Sequence, residues 1–565
     1  MLTYDATRLK KLYDHRWGLL GNWRLRWNDI AYYIMPSQRS GFTTHLTPGT
    51  DVSSKIYDST AMEANDRLSN RLHEALTNPS SVWFGLKFRD EDIEDVDANR
   101  EWLDDCQDKL RQAIRESNFD MIMGQFYLDL GAFGSAGTEV DEKEAEYDSD
   151  SETDDFRGFM FRSLHLGSLG LAESSKGLID QVFEKFDLTA EQWLTRFGDK
   201  CPEKIRDAYQ NDPDKVFAAL KCRFKRTLPK VDGKSTRPEG PLVPLERPWA
   251  EVWVSVESTE IVEDGGTYEQ ASFIGRWRKK SDDIMGYGPG ERALPTVRSV
   301  NEAERLELAA WAKQIDPPIK TKQNNIVGDA NLASGGVTVV RNLEESKPWE
   351  FAPDLNHHMT ELEDKRFQIR DIFKYHALEL PAREQVGQMT AYEIAKRSEA
   401  VYRSLGPVVV QLKPDVLDPM LQRCFNIMYR KKAFLPMPEG LQEQALDVEY
   451  VGPMAQAAKQ VETDAIDRFM GDALALKNSG IEEAMDIIDL DKAQRYKANL
   501  LGVPAKVLRS NDEVEAVRKT RNDAKQQAMD EQSALMGSEA AKNIGQAGND
   551  AQMKGAVTRM VPQAA

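Results

Sequence analysis

Residues 286–318 read GYGPGERALPTVRSVNEAERLELAAWAKQIDPP, a glycine-rich approach followed at once by a helical pattern and a double-proline stop. Ser299 and Glu302 stand three apart, as in a capping box, where the serine hydroxyl takes the amide of the third helical residue and the glutamate reaches back. That spacing predicts a helix beginning at Ser299. Leu308, Trp311, Ala312 and Ile315 fall on one helical face, and Pro317 and Pro318 cannot continue the helix. The expected element is a strut of about 17 residues, about 25 Å long, between two other structures.

The tip beyond it, 319–352, carries the turn Ser334-Gly335-Gly336 and the apolar run Val337 to Val340, which suggests a small β-rich unit. A second strut starts near Asp354, with Leu355, Met359, Leu362, Ile369 and Phe373 tracing a stripe of about 20 residues, about 30 Å. Two such helices joined by a compact tip form a hairpin able to pack side by side around a ring. His357 and Glu361 lie one turn apart, but with no third ligand at a supporting spacing the stretch His357, His358, Glu361 reads as a polar helix face. Pro381 and Gly387 then break the helix within Ala377 to Gln388, and Thr390 with Glu393 forms a second capping box. Pro407, Pro414 and Pro419 predict a kinked helix whose later piece buries Leu417, Leu421, Phe425 and Met428.

Leu12, Leu19, Trp23, Trp27, Ile30 and Ile34 predict one amphipathic helix ended by Pro36, and Ala64, Leu68, Leu72 and Leu76 mark a second. A polar loop is expected over 39–56, a strand near Val82 to Phe88, and helices over 99–116 and up to Gly131. Gly131, Gly134 and Gly137 have the spacing of a phosphate loop, but the carboxylates that follow from Glu139 would repel a phosphate, so they read as turn glycines. The acidic run Asp141 to Asp155 reads as a solvated hairpin tip or loop rather than a metal site. From 156 to 280 short alternating segments such as Trp249 to Ser258 suggest the β-rich half of an α+β domain, with a helical insertion at 189–220. Gly233-Lys234-Ser235 lacks the leading glycine of a P-loop, since position 228 is Leu228. Beyond Pro453 the pattern is helical, with Val461, Phe469 and Leu474 as buried candidates, a polar helix over 512–536, and a disordered last thirty residues.

The chain has 565 residues, 41% hydrophobic and 30% charged, which fits a largely helical protein of three or four domains or one elongated subunit. No run is long and apolar enough for a membrane span, and the residues after Met1 lack the apolar core of a signal peptide, so a cytoplasmic product is expected. Cys106, Cys201, Cys222 and Cys424 are scattered without a Cys-x-x-Cys pair and read as buried thiols. A net charge of −19 argues against gripping DNA through a basic face. It is compatible with a wall that DNA slides past, because a mostly acidic tunnel repels the duplex and keeps it centred.

Tyr287-Gly288-Pro289-Gly290, Ala293-Leu294-Pro295, Asn301 and the closing Pro317-Pro318 together resemble the portal, or head-to-tail connecting, proteins of short-tailed, T7-like phages. Asp58-Ser59-Thr60, Leu76-Thr77-Asn78-Pro79 with Trp83-Phe84, Met389 to Glu393, and Val451 to Ala455 support the resemblance in order and spacing over roughly 10–480. Tyr392 and Met454 depart from the residues common there and leave the helix cap intact.

The resemblance implies an α+β, mostly helical portal subunit assembled as a ring. A wing would span 1–297 and 389–452, stem helices 298–315 and 354–376, a clip 316–353, a tunnel loop 377–388, a helical crown 453–536 and a flexible tail 537–565. Arg383, Glu379, Glu384, Gln385 and Gln388 would face the DNA channel, and Asn331, Ser334, Gly335 and Gly336 would form the docking surface of the clip. Partners implied are twelve copies of the chain, double-stranded DNA, the terminase large subunit, tail adaptor and tail proteins, and scaffolding and major capsid proteins, with no membrane and no cofactor. The expected location is the unique capsid vertex of the virion, reached from the host cytoplasm. Another virion structural or tail-adaptor protein explains the composition but not two capped struts around a β tip. A packaging enzyme lacks its P-loop, a nucleophile motif and an acid cluster on a credible scaffold.

Overall fold

The computed structural model describes residues 4–47, 49–79, 82–88, 97–143, 155–226, 230–231, 234–235, 242–315, 317, 319–320, 323–329, 331, 339–344, 347–348, 355–375, 405–438, 446–450, 453–478, 487–501, 509 and 511–558. The single helix expected before Pro36 is two: α1 (Ala6–Leu19) and α2 (Gly21–Ile34), broken at Leu20 with φ −85° and ψ 8°. Gly18 and Gly21 flank the break and weaken helix there. Arg24 stabilises the corner by donating to the Trp17 carbonyl at 2.5 Å while its guanidinium lies 3.4 Å over the Trp17 ring. Trp27 is fully buried and Trp23 nearly so, which makes both tryptophans core. Helix α3 (Thr60–Leu76) buries Ala64, Leu68 and Leu72 as their spacing predicts. After β1 (Phe84–Phe88) come α4 (Asp97–Arg115) and α5 (Phe119–Phe133).

Of the three spaced glycines only Gly134 sits at a turn. It closes α5 with φ 73°, the left-handed conformation that favours glycine at a helix end. Gly131 lies within α5 and Gly137 within β2 (Ser135–Glu142).

Strand β2 pairs antiparallel with β3 (Phe159–Leu164) and with β11 (Ser272–Arg276), making a three-stranded sheet. The larger antiparallel sheet has five strands in the order β10-β9-β6-β5-β4: β4 is Leu169–Glu173, β5 Ile179–Thr189, β6 Val216–Lys225, β9 Trp249–Ser255 and β10 Glu260–Thr267. Between them stand the two-residue strands β7 (Lys230–Val231) and β8 (Lys234–Ser235). Alternation along β6 explains the packing. Leu220 and Cys222 face Leu9 and Tyr13 of α1, while Phe217 and Ala219 face Trp193 and Ile205 of α6 (Ala190–Phe197) and α7 (Glu203–Asn211), the expected helical insertion.

Further along the second face of β6 stand Lys221 and Arg223, and there the covering layer changes to the three-stranded sheet. Glu139 on β2 accepts from Arg162 at 2.7 Å, Arg223 at 2.5 Å and Lys221 at 3.3 Å. Asp141 accepts from Arg223 and from Arg423, both at 2.7 Å, and Arg223 also reaches Glu251 at 2.7 Å. Burial alone would raise Glu139, but Arg223, Lys221 and Arg162 outweigh it and hold the carboxyl well below the ordinary range. Asp141, expected in a solvated tip, is instead a partly exposed ion-pair partner of Arg223 and Arg423, its side chain 38% exposed. The strands do form the expected hairpin arms, Glu142 opposite Phe159, and residues 144–154 lie outside the described residues.

Helix α8 (Pro289–Ile315) has 27 residues and is about 40 Å long. This corrects the expected start at Ser299: Ser299 and Glu302 lie inside the helix and cap nothing. Pro295 lies inside the helix, yet Ala293, Leu294, Val297, Val300 and Asn301 keep an unbroken buried face packed on α2, α3 and α5. Their burial outweighs a proline cost of about 3 kcal/mol. The stop at Ile315, ahead of Pro317, agrees with the sequence.

Past α8, β12 (Ile319–Lys320) pairs with β13 (Lys347–Pro348), and Ile326 bridges Val340. Asn325 pins this fold-back by donating to the Asn342 carbonyl at 2.8 Å and accepting the Asn342 amide at 2.6 Å. Helix α9 (Leu355–Ile372) returns with Leu362, Ile369 and Phe373 buried and Met359 exposed. The kinked helix consists of α10 (405–412), a π-helical stretch Lys413–Leu417 and α11 (Asp418–Arg430). Pro414 and Pro419 donate no amide, and the Asp418 amide reaches back five residues to the Lys413 carbonyl. Leu417, Leu421, Phe425 and Met428 are buried as expected. Strand β14 (Leu446–Tyr450) returns to pair with β1, and α12 (Pro453–Asn478) and α13 (Leu490–Leu501) follow.

On α12, Phe469 and Leu474 are exposed rather than buried, and Thr463 and Ala473 are the covered residues; the Val461 side chain lies outside the description. Residues 90–104 and 502–565 form a second compact unit, which contains α14 (Asn511–Thr558). This 48-residue helix extends through most of the tail expected to be disordered. Ala534, Ala540, Ala541, Ala547 and Ala551 favour helix strongly enough to carry the intervening glycines. All four cysteines are free and buried, and burial pushes the Cys106 and Cys424 thiols up to about 12. No helix among the described residues is long and apolar enough to cross a membrane.

Candidate assembly surface

The base of the strut is a joint made of backbone. A Cβ on Gly290 would lie 2.2 Å from the Ala132 carbonyl oxygen, one on Gly288 2.6 Å from Gly134 Cα, and one on Gly286 2.3 Å from the Gly134 oxygen. Only glycines allow α8 to start this close to the end of α5. Tyr287 holds the joint from outside: its ring meets Trp23 edge-on at 4.9 Å, Lys280 Nζ lies 3.7 Å over it, and its hydroxyl donates to Asp283 at 2.8 Å.

Higher up, Asp58, Asn301 and Arg366 meet. Asp58 Oδ1 accepts the amide of Thr60, the first residue of α3, at 3.0 Å, and Oδ2 accepts from Arg366 Nε on α9 at 2.9 Å. The same guanidinium donates to Glu304 on α8 and, at 2.7 Å, to Glu363 one turn away. Asn301 on α8 accepts the Tyr57 amide at 2.7 Å and donates to the Lys55 carbonyl at 3.3 Å. Residues 55–58 are thus tied to both strut helices. Burial favours a neutral Arg366, but the bonds to Asp58 and Glu363 and the charges of Asp58 and Glu304 win and raise it above its ordinary value. Sequence reading marked Asp58 and Asn301 by their motifs and missed Arg366, whose partner Asp58 lies 308 positions away.

Toward the tip the strut emerges from its cover. Leu308, Trp311 and Ile315 along one face of α8 and Met359 on α9 are exposed, Ile315 by 83%, and Leu306 is exposed on the other side of α8. A row of large apolar side chains on a helical hairpin is a surface for association.

Ser299 accepts a hydrogen bond from Lys365 at 3.2 Å across the hairpin, and Glu302 pairs with Arg305 at 2.6 Å. Both are strut cross-links and not caps. His357 and His358 lie on α9, where Glu361 pairs with Lys365 at 2.9 Å, and no three potential ligands gather for a metal among the described residues. Of the expected docking residues only Asn331 is described; Ser334, Gly335 and Gly336 are outside the described residues. So are the expected channel residues Glu379, Arg383, Glu384, Gln385 and Gln388 and the cap Thr390 with Glu393.

A family model described as bacteriophage head to tail connecting protein matches residues 6–508. The chain is also similar to a probable portal protein of Bordetella phage BPP-1, 26% identical over 555 residues and 95% of each chain. It is 24% identical over 527 residues to a portal protein of Salmonella phage epsilon15, covering 91% of this chain and 90% of that one. These relatives carry the connector family without the narrower T7-like placement the motifs suggested. A strut hairpin on a two-sheet body, matched over nearly its whole length, belongs to the bacteriophage head-to-tail connecting proteins, a structural and non-enzymatic family of the virion.

Proposed function

We propose that this chain is a portal subunit, twelve copies of which close a ring at the unique capsid vertex. The observation that carries the reading is the exposed apolar row Leu308, Trp311 and Ile315 on a hairpin tied to the body through Arg366 and Asp58. In this reading the body formed by 1–297 and 389–452 is the wing, α8 from 298 with α9 the stem, 316–353 the clip, 453–536 the crown and 537–565 a tail. Neighbouring stems cover one another's apolar rows, and the clips gather at one end as the platform for the terminase large subunit and tail adaptors.

The loop 377–388 lines the narrowest part of the channel for double-stranded DNA. Arg383 is its only basic side chain, set between Glu379 and Glu384 with Gln385 and Gln388 nearby. One weak cation per subunit steadies a duplex without holding it, since an exposed ion pair is worth about 0–1 kcal/mol. Scaffolding and major capsid proteins would meet the outer ring during head assembly.

Native mass measurement tests the ring directly. Twelve copies of a 64.0 kDa chain weigh about 770 kDa. A monodisperse monomer at micromolar concentration overturns the proposal.

A further inference from the structure

The Arg366 cluster does something a ring needs. In a closed ring each copy is turned from the next by a fixed step, roughly 30° for twelve and about 28° for thirteen. A change of about 2° in the step between neighbouring copies is therefore enough to admit another copy. The packed contact of α8 with α2, α3 and α5 fixes the lower half of the strut, and α9 returns from the tip to pack on α8 and on α3. Arg366 ties α9 to the body by charge through Asp58, whose side chain is 5% exposed. The same guanidinium ties α9 to α8 through Glu304. Three carboxylates, Asp58, Glu304 and Glu363, converge on this one planar cation, whose fork directs separate nitrogens to each. Tyr375, just past α9, adds a second tie by donating to Glu63 on α3 at 3.1 Å, with Arg67 4.2 Å over its ring.

We propose that the Asp58–Arg366–Glu304 latch sets the angle at which the strut hairpin leaves the body and thereby the number of copies that close the ring. The inference rests on the ring reading above. Arg366 is a positioning residue: it lies where two helices and the residue ahead of a third are joined, and its loss leaves the exposed association row untouched. Lysine keeps the charge but not the fork, so it can satisfy one carboxylate at a time.

Charge-detection native mass spectrometry of the full chain and of Arg366→Gln, Arg366→Lys and Arg226→Gln tests it. Arg226 bonds Tyr4 and Asp264 within the body, so its replacement perturbs stability without touching the latch. Wild type should show one dominant ring size, and Arg366→Gln should raise the fraction of off-size rings about threefold or more. Arg366→Lys should fall between them, and Arg226→Gln should match wild type. Absence of rings in wild type overturns the ring reading itself. Rings of wild-type distribution in Arg366→Gln, or equal broadening in Arg226→Gln, overturn the latch while leaving the ring intact. Should Arg366→Gln fail to fold, Asp58→Asn and Glu304→Gln each remove one arm, and an unchanged distribution in both overturns it equally.

Discussion

Arg276 on β11 grips Asp415 in the π-helical stretch with one edge of its guanidinium, Nε to Oδ2 at 2.9 Å and Nη2 to Oδ1 at 2.7 Å, where the two side chains are 1% and 2% exposed. Gly275 beside it lets the helix come close, since a Cβ there would lie 2.9 Å from Leu412 and 3.1 Å from Val416. Replacing Arg276 by alanine leaves a buried carboxylate facing Glu173 without its cation. The expected loss is about 3–5 kcal/mol, read as a shift in the denaturation midpoint, whereas a paired change of both residues to apolar ones should cost far less. Equal losses in both variants would count against a buried pair.

Asp129 gives a pH signature of opposite origin. Burial, opposed only by hydrogen bonds from Gln125 and Gln38, pushes its carboxyl up to about 7. A raised acid means the folded state holds its proton longer than the unfolded state, so stability falls as pH rises from about 4 to about 7. Asp129→Asn should flatten this slope and stabilise the chain at pH 8 by up to about 4 kcal/mol. Melting temperatures of both proteins at pH 5 and pH 8 decide it.

The joint at the strut base predicts an intolerance to the smallest substitution. Gly290→Ala drives a methyl to within 2.2 Å of a backbone oxygen that cannot rotate away. A loss of about 1–3 kcal/mol or more is expected, whereas Gly124→Ala, inside α5 with nothing within 4 Å of its Cβ, should gain about 0.5–1 kcal/mol. Urea denaturation of both variants reads the contrast.

For association the expected outcome is a split between folding and assembly. Trp311→Glu with Ile315→Glu should leave thermal stability within about 0.5 kcal/mol, because both side chains are exposed in the subunit. Ring formation should be lost in sedimentation. Retained rings would remove this row from the interface.

Arg383→Ala should assemble normally and lower DNA packaging or retention in a complementation assay. Wild-type packaging and retention across a range of salt would refute the contact.

Local patterns carried much of the fold. Leu68 and Leu72 repeat at helical spacing and are buried, and Phe217 and Ala219 alternate with Leu220 and Cys222 as a strand with both faces covered requires. Ser299 and Glu302 misled because a capping-box spacing recurs by chance inside helices; the buried run across Pro295 decided the true start. Asp141 looked solvated among its acidic neighbours because Arg223 and Arg423 are 82 and 282 positions away. Asp58 and Asn301 were legible as motif letters and not as partners, since hydrogen bonds to Arg366 and to residues 55–57 exist only once α8 and α9 stand side by side.

At the strut's root, Gly134, Gly286, Gly288 and Gly290 meet main chain to main chain, and side chains take no part in the closest contacts. Such a weld has no rotamers to exchange. Load arriving along the 27-residue lever passes into α5 through main-chain contacts too close to slide past one another. A pull at the tip therefore reaches the body undamped at this point, and compliance must come from elsewhere along the hairpin.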